Sequence, residues 1–179
     1  MRSVSRWGMA VLVVAGVVGL AGCGSTSVEG QAETTKPEAG EPAFDPCSIP
    51  EDVLRAIGLD PASESRDIQG VKQPGWSLCR WNDRDVSYFV TIFATGTAID
   101  SILTNERFTD VTPIEINGRE AFTVRETSDK RNEHCDVVVT AGPDALMLRT
   151  DQSKGLPPSE SPCPQAIKSA QVLEPVLPR

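Results

Sequence analysis

Five cysteines, a single histidine and a small group of aromatics are the side chains of this 179-residue chain most capable of chemistry. Thiolates with an imidazole can hold zinc, so Cys47, Cys79, Cys135 and Cys163 with His134 are the first constellation to weigh. Structural zinc sites are built on close Cys-x-x-Cys pairs, and these four are widely spaced, which argues against a metal. His134, beside Cys135, has the chemistry of a general base. A lone histidine at a strand start is more often a packing or surface residue. The chain carries no Gly-x-Ser-x-Gly, Ser-x-x-Lys or His-Glu-x-x-His pattern and no phosphate-cradling glycine loop. Asn82, Asp83 and Asp85 place three oxygen-bearing side chains in one turn, but the further ligands of a calcium loop are missing. A solvated turn accounts for them better. No catalytic residue, metal site or cofactor is expected, and a non-enzyme is the reading that follows.

The remaining cysteine lies in a different setting. Arg2 and Arg6 make a basic start, no acidic residue precedes Glu29, and Met9 to Leu20 is an almost unbroken apolar run. A dozen or so apolar residues suit a secretory signal and fall short of the roughly 20 that a membrane-spanning helix needs. Leu20-Ala21-Gly22-Cys23 follows at once and resembles the bacterial lipobox at all four positions. In precursors of that kind the cysteine thiol takes a diacylglycerol and the chain is cut just before it. The resemblance implies a signal peptide over residues 1–22 and lipidation of Cys23, with palmitate-like acyl chains anchoring the protein. The expected location is the outer face of the bacterial cytoplasmic membrane, in the cell envelope. Each buried CH₂ of an acyl chain contributes about 0.8 kcal/mol, so two chains hold firmly.

Loss of residues 1–22 removes Arg2 and Arg6 from the 17 cationic residues and none of the 25 acidic ones, taking the formal charge from −8 to −10. So acidic a chain lacks the basic footprint of a nucleic-acid binder. Residues 23–43 hold the anchor and then Gly, Ser, Thr, Glu and Pro without apolar period, the composition of a disordered linker. About 20 such residues reach on the order of 25 Å. Residues 44–179 are long enough for one domain. Outside the cytoplasm an even count of cysteines implies disulfides. Four cysteines allow three connectivities, of which Cys47–Cys79 with Cys135–Cys163 is preferred here, each bridging a helix start to a strand.

The elements that must position these residues are legible in outline. Ser48-Ile49-Pro50-Glu51 reads as a capping box opening a short helix with Val53, Leu54 and Ile57 on one face and Gly58 as its stop. Strands are expected near Trp76 to Trp81 and Val86 to Ala94, with a turn at Asn82-Asp83-Arg84, and Thr97 as the cap of a second helix. Asn117-Gly118 is the strongest hairpin signal, and Gly142-Pro143-Asp144 marks another turn between apolar strands. A last helix begins at Ser161-Pro162, buries Cys163, Ala166, Ile167, Ala170 and Leu173, and ends at Pro175. The expected fold is α+β: an antiparallel sheet of about six strands, two to three helices mainly on one face, and two disulfides. Its element order loosely resembles the Mog1/PsbP-like arrangement.

Trp76, Trp81, Tyr88 and Phe89 fall together on the first hairpin. Strand alternation sends Tyr88 and Phe89 to opposite faces, so one of them can be exposed. An exposed aromatic there would suit an interaction surface. Core packing around Cys79 is the plainer account.

Phe44-Asp45-Pro46-Cys47, Ala56-Ile57-Gly58-Leu59-Asp60-Pro61 and Ser77-Leu78-Cys79-Arg80-Trp81, together with the lipobox and the polar tether, resemble a family of actinobacterial envelope lipoproteins, the domain of unknown function 3558. These are framework motifs, and the resemblance transfers no catalytic residue. It leaves two functional expectations: an interaction module docking to an envelope protein, or a small carrier or sensor of an apolar envelope molecule.

Overall fold

The computed structural model describes residues 42–67, 74–154, 157 and 160–179. The signal segment, Cys23, most of the linker and Gly70 lie outside these residues. In chain order the elements are α1 (Glu51–Ala56), β1 (Trp76–Asn82), β2 (Tyr88–Thr95), α2 (Ile99–Leu103), β3 (Phe108–Ile116), β4 (Arg119–Glu126), β5 (His134–Ala141), β6 (Asp144–Gln152) and α3 (Cys163–Leu173). The strands form one antiparallel sheet in the order β1-β2-β6-β5-β4-β3. This is the expected α+β architecture.

Three hairpins arise from local backbone chemistry. Asn117 and Gly118 both take positive φ, +52° and +82°, which matches the twist of the strands they join. Gly142 does the same at +63° between β5 and β6. In the β1–β2 turn, Asp83 accepts from the Ser87 and Tyr88 N–H groups and from the Ser87 hydroxyl. Burial acts to raise the Asp83 pKa, but the Ser87 and Tyr88 donors outweigh it and bring it below its ordinary value. Its oxygens organise the turn.

Among the described strands, the non-local step is the path from β2 to β3. β2 pairs with β6, so the chain must cross the sheet to start β3 at the opposite edge, and α2 lies on that crossing. The two sheet faces therefore differ. On one, Trp81, Val90, Ile92, Leu146, Leu148, Val137 and Val139 meet α1 and α3 through Leu54, Ala166, Ala170 and Leu173. On the other, α2 packs Ile102 against Val124, Val138, Ala145 and Met147. Two helices of three share a face.

Disulfides join Cys47 to Cys79 in β1, and Cys135 in β5 to Cys163 at the start of α3. Each fastens a segment of the helical face to the sheet beneath it.

Several local expectations are corrected. Ser48 donates to the Asp45 carbonyl instead of capping α1. Ile49 and Pro50 are extended, and α1 starts at Glu51 with no side-chain cap. Asp45 serves as a cap one turn earlier, accepting from the Cys47 N–H. Thr97 bonds to Thr95, and Ala98 occupies the cap of α2. The strand expected from Val86 begins at Tyr88, because Val86 sits in the turn at φ +52°. Pro175 does not stop the last helix abruptly: a 3-10 turn runs on through Val176. Gly58 is the predicted left-handed stop, at φ +83°.

Candidate binding groove

The face covered by α2 carries its side chains in rows set by the pairing register. One row is Leu78, Phe93, Met147, Val138 and Phe122. The next is Arg80, Thr91, Arg149, Asp136 and Val124. A third holds Phe89, Asp151 and His134. Apolar and ionic rows thus lie side by side on one face, and α2 covers the apolar one.

Between α2 and the sheet lies a groove of about 390 Å³. Its sheet-side wall comes from Trp76, Phe93 and Met147, and its other wall from Ser101, Ile102 and Phe108. Trp76 meets Phe93 edge to face, with ring centres 6.2 Å apart and planes at 85°. Thr97, Asn105, Arg107 and Arg149 supply the remaining polar groups. Small-molecule sites are typically concave, largely apolar, about 300–1,000 Å³ in volume and fitted with a few polar groups. The groove has those properties.

At one end of the groove stands a buried ion cluster. Arg149 donates from Nε and Nη2 to the two Asp136 oxygens at 2.7 and 2.8 Å, and from Nη2 to Glu126 at 2.5 Å. Asp136 is fully buried and Glu126 only 8% exposed. Arg107 adds Nε and Nη2 to the same Glu126 oxygen at 3.1 and 2.7 Å. Burial acts to lower the Arg149 pKa, but Asp136 and Glu126 outweigh it and raise it above the ordinary value. Burial likewise acts to raise the Glu126 pKa, and the bonds from Arg149, then Arg107, bring it below its ordinary value. The Arg149 guanidinium also lies 5.8 Å from the Phe93 ring centre, joining the ion cluster to the aromatic wall.

His134 sits behind this cluster. Its Nε2 is 3.7 Å from Glu126, and its Nδ1 is 3.8 Å from Asp129 and 4.0 Å from Asp151. Asp129 is already engaged, accepting from the Glu133 and His134 N–H groups and from Arg125. Cys135 is spent in a disulfide, so His134 has no adjacent thiol to activate. The donor atoms of Cys47, Glu64 and Cys79 gather within 4.8 Å. The two sulfurs are bonded to each other and are not thiolates, the form that binds metal.

The four aromatics of the first hairpin divide between the faces. Trp81 is 1% exposed in the core beneath the helices. Tyr88 shares that face and donates its hydroxyl to the Ile57 carbonyl at the end of α1. Phe89 lies on the opposite face under the Arg80 guanidinium, 3.9 Å from its ring centre. Trp76 shares that second face and reaches the groove. The four do not make one surface. Phe93, Phe108, Met147, Arg107 and Arg149 line the groove without having stood out in the sequence. A signal for the ion pair was available: Asp136 and Arg149 interrupt apolar strands and sit five positions from the Ala141–Asp144 pair at the turn, which makes them cross-strand partners.

With the site described, its relatives can be placed. A family described as "Protein of unknown function (DUF3558)" matches residues 18–175. The chain belongs to that family. The match spans all six strands, both disulfides and every residue of the groove, so for a DUF3558 protein the groove is part of the family domain and not an appendage. No curated protein matches, and no solved structure matches.

Proposed function

We propose that this DUF3558 protein is a lipid-anchored envelope protein whose domain binds and does not catalyse. Its anchor would be Cys23, and its ligand a small molecule with an apolar part. Arg2, Arg6, the apolar run and Leu20-Ala21-Gly22-Cys23 support the anchor. The family match begins at residue 18, so the lipobox lies inside the matched stretch. Cys23→Ala is expected to release the protein from membranes or leave it unprocessed. A variant that fractionates and migrates like the wild type would remove the anchor from the reading.

The observation that carries the binding reading is the aromatic groove of about 390 Å³ beneath α2. Native mass spectrometry of the protein from its own envelope is expected to record a co-purifying small-molecule mass, lost on Ile102→Trp. A bare mass for the wild type would count against a resident ligand. The second reading is an interaction module docking to an envelope protein. The Arg80–Phe89 stack supports it, because it lies on the two strands at one sheet edge, away from the α1 and α3 packing. Crosslinking in cells that recovers no recurrent partner would remove it. Strand addition at the other edge is disfavoured, since β3 carries Pro113 and a register break between Thr109 and Thr112.

A further inference from the structure

We propose that the groove selects a single-chain amphiphile with a carboxylate head, its chain lying along Trp76, Phe93 and Ile102 and its head at Arg107. This rests on the binding reading above and names the ligand class for the same groove. The argument is one of charge. The chain is acidic, at −8 overall, yet the two charged residues that line the groove are both arginines, and none of the lining residues is a carboxylate. The acids that balance them, Asp136 and Glu126, are buried behind them.

Arg149 spends Nε and Nη2 on those acids and is only 13% exposed at its side chain, so it fixes the end of the groove and offers a ligand little surface. Arg107 differs. Its side chain is 62% exposed, it spends Nε and Nη2 on Glu126, and among the described residues Nη1 has no partner. Nearby, Asn105 uses its Oδ1 to accept from the Arg107 N–H, which leaves its amide NH₂ to donate. The Ser101 hydroxyl adds a donor on the same wall. An acceptor-rich head therefore meets cationic and neutral donors, and the chain beyond it meets rings and aliphatic carbon. The volume stands at the low end of the ligand-site range, which suits one chain better than two.

The test uses full-length protein in membrane vesicles from expressing cells, with a diazirine-bearing dodecanoate as the photolabel. Labelled peptides are expected to fall within residues 76–108. Dodecanoate should compete at roughly tenfold lower concentration than dodecanol, the margin a charge-assisted hydrogen bond supplies. Arg107→Gln should erase that preference while labelling persists, and Ser101→Trp should block labelling. Equal competition by dodecanol, or stronger competition by dodecyltrimethylammonium, overturns the carboxylate assignment and leaves the groove as a binding site. Absence of groove labelling together with a bare native mass overturns the binding reading itself.

Discussion

Arg149 is the residue on which the α2 face depends most. It lies between two carboxylates that are almost wholly out of water, and removing it strands Asp136 and leaves Glu126 to Arg107 and Ser128. Arg149→Ala is expected to cost about 3–5 kcal/mol, read by chemical denaturation with the disulfides intact. Arg107→Ala should cost no more than about 1 kcal/mol, because an exposed pair is screened and Arg149 still serves Glu126. Asp151 behaves oppositely to its neighbours. Burial raises its pKa, and although Arg149 and His134 act to lower it, it stays above the ordinary 3.8. The ionised form is therefore penalised in the folded state, a penalty absent in strong acid and growing as pH rises through its folded value. Asp151→Asn is expected to stabilise the protein at pH 7, with the gain vanishing below about pH 3.8. Glu126 and Asp129 are depressed from 4.5 and 3.8, so their stabilisation is present above those values and lost as pH falls through the folded ones. Denaturation curves for wild type and Asp151→Asn across pH 2–7 separate the two signs.

At the scale of the element, the end of α1 is the most tightly specified junction. Gly58 takes φ +83°, and a Cβ there would stand 2.9 Å from the Tyr88 hydroxyl that bonds the Ile57 carbonyl. Gly58→Ala meets both penalties, and a loss of about 1–2 kcal/mol is expected. A denaturation midpoint unchanged from wild type would show that the α1–β2 contact adapts freely. Val86 presents the reverse case: a β-branched residue at φ +52°, 51% exposed, held there through its backbone by the Asp83 carbonyl and the Ser153 hydroxyl. Val86→Gly should relieve strain and raise stability by about 0.5 kcal/mol, seen as a later melting midpoint. α2, by contrast, is five residues long and has no side-chain cap. Helices so short draw their stability from packing, so the groove wall is held by Ile102 against the sheet.

For the whole molecule the disulfides set the reference. Loops closed over separations of 32 and 28 residues give roughly 3–4 kcal/mol apiece in the chain-entropy model. Replacing the Cys135–Cys163 pair by serines should lower stability by about that amount, measured in denaturant without reductant. The effect belongs to the molecule and not to one element, because that bond fastens α3 to a central strand. The same tie, with the Arg119–Glu174 contact at 3.8 Å and the Arg119 bond to the Pro178 carbonyl at 2.7 Å, keeps the C-terminal segment on the sheet.

The features legible in the chain alone are local. Asn117-Gly118 and Gly142-Pro143 carry their turns in their own φ preferences, strand alternation follows from a period of two, and the α+β class follows from hairpins flanked by short helices. Even the cross-strand meeting of Asp136 and Arg149 is contained in the turn between them. The tertiary structure decided everything that depends on partners far apart in the chain. β2 pairs with β1 on one side but with β6, not β3, on the other, and that choice sends α2 across the sheet and creates the groove. Alternation separates Tyr88 from Phe89, but only the packing of α1 and α3 on one face decides that Trp81 is core while Trp76 lines a cavity. The physical reason is that a turn is chosen by the dihedral energies of two residues, whereas strand order and face are chosen by burial summed over the whole sheet.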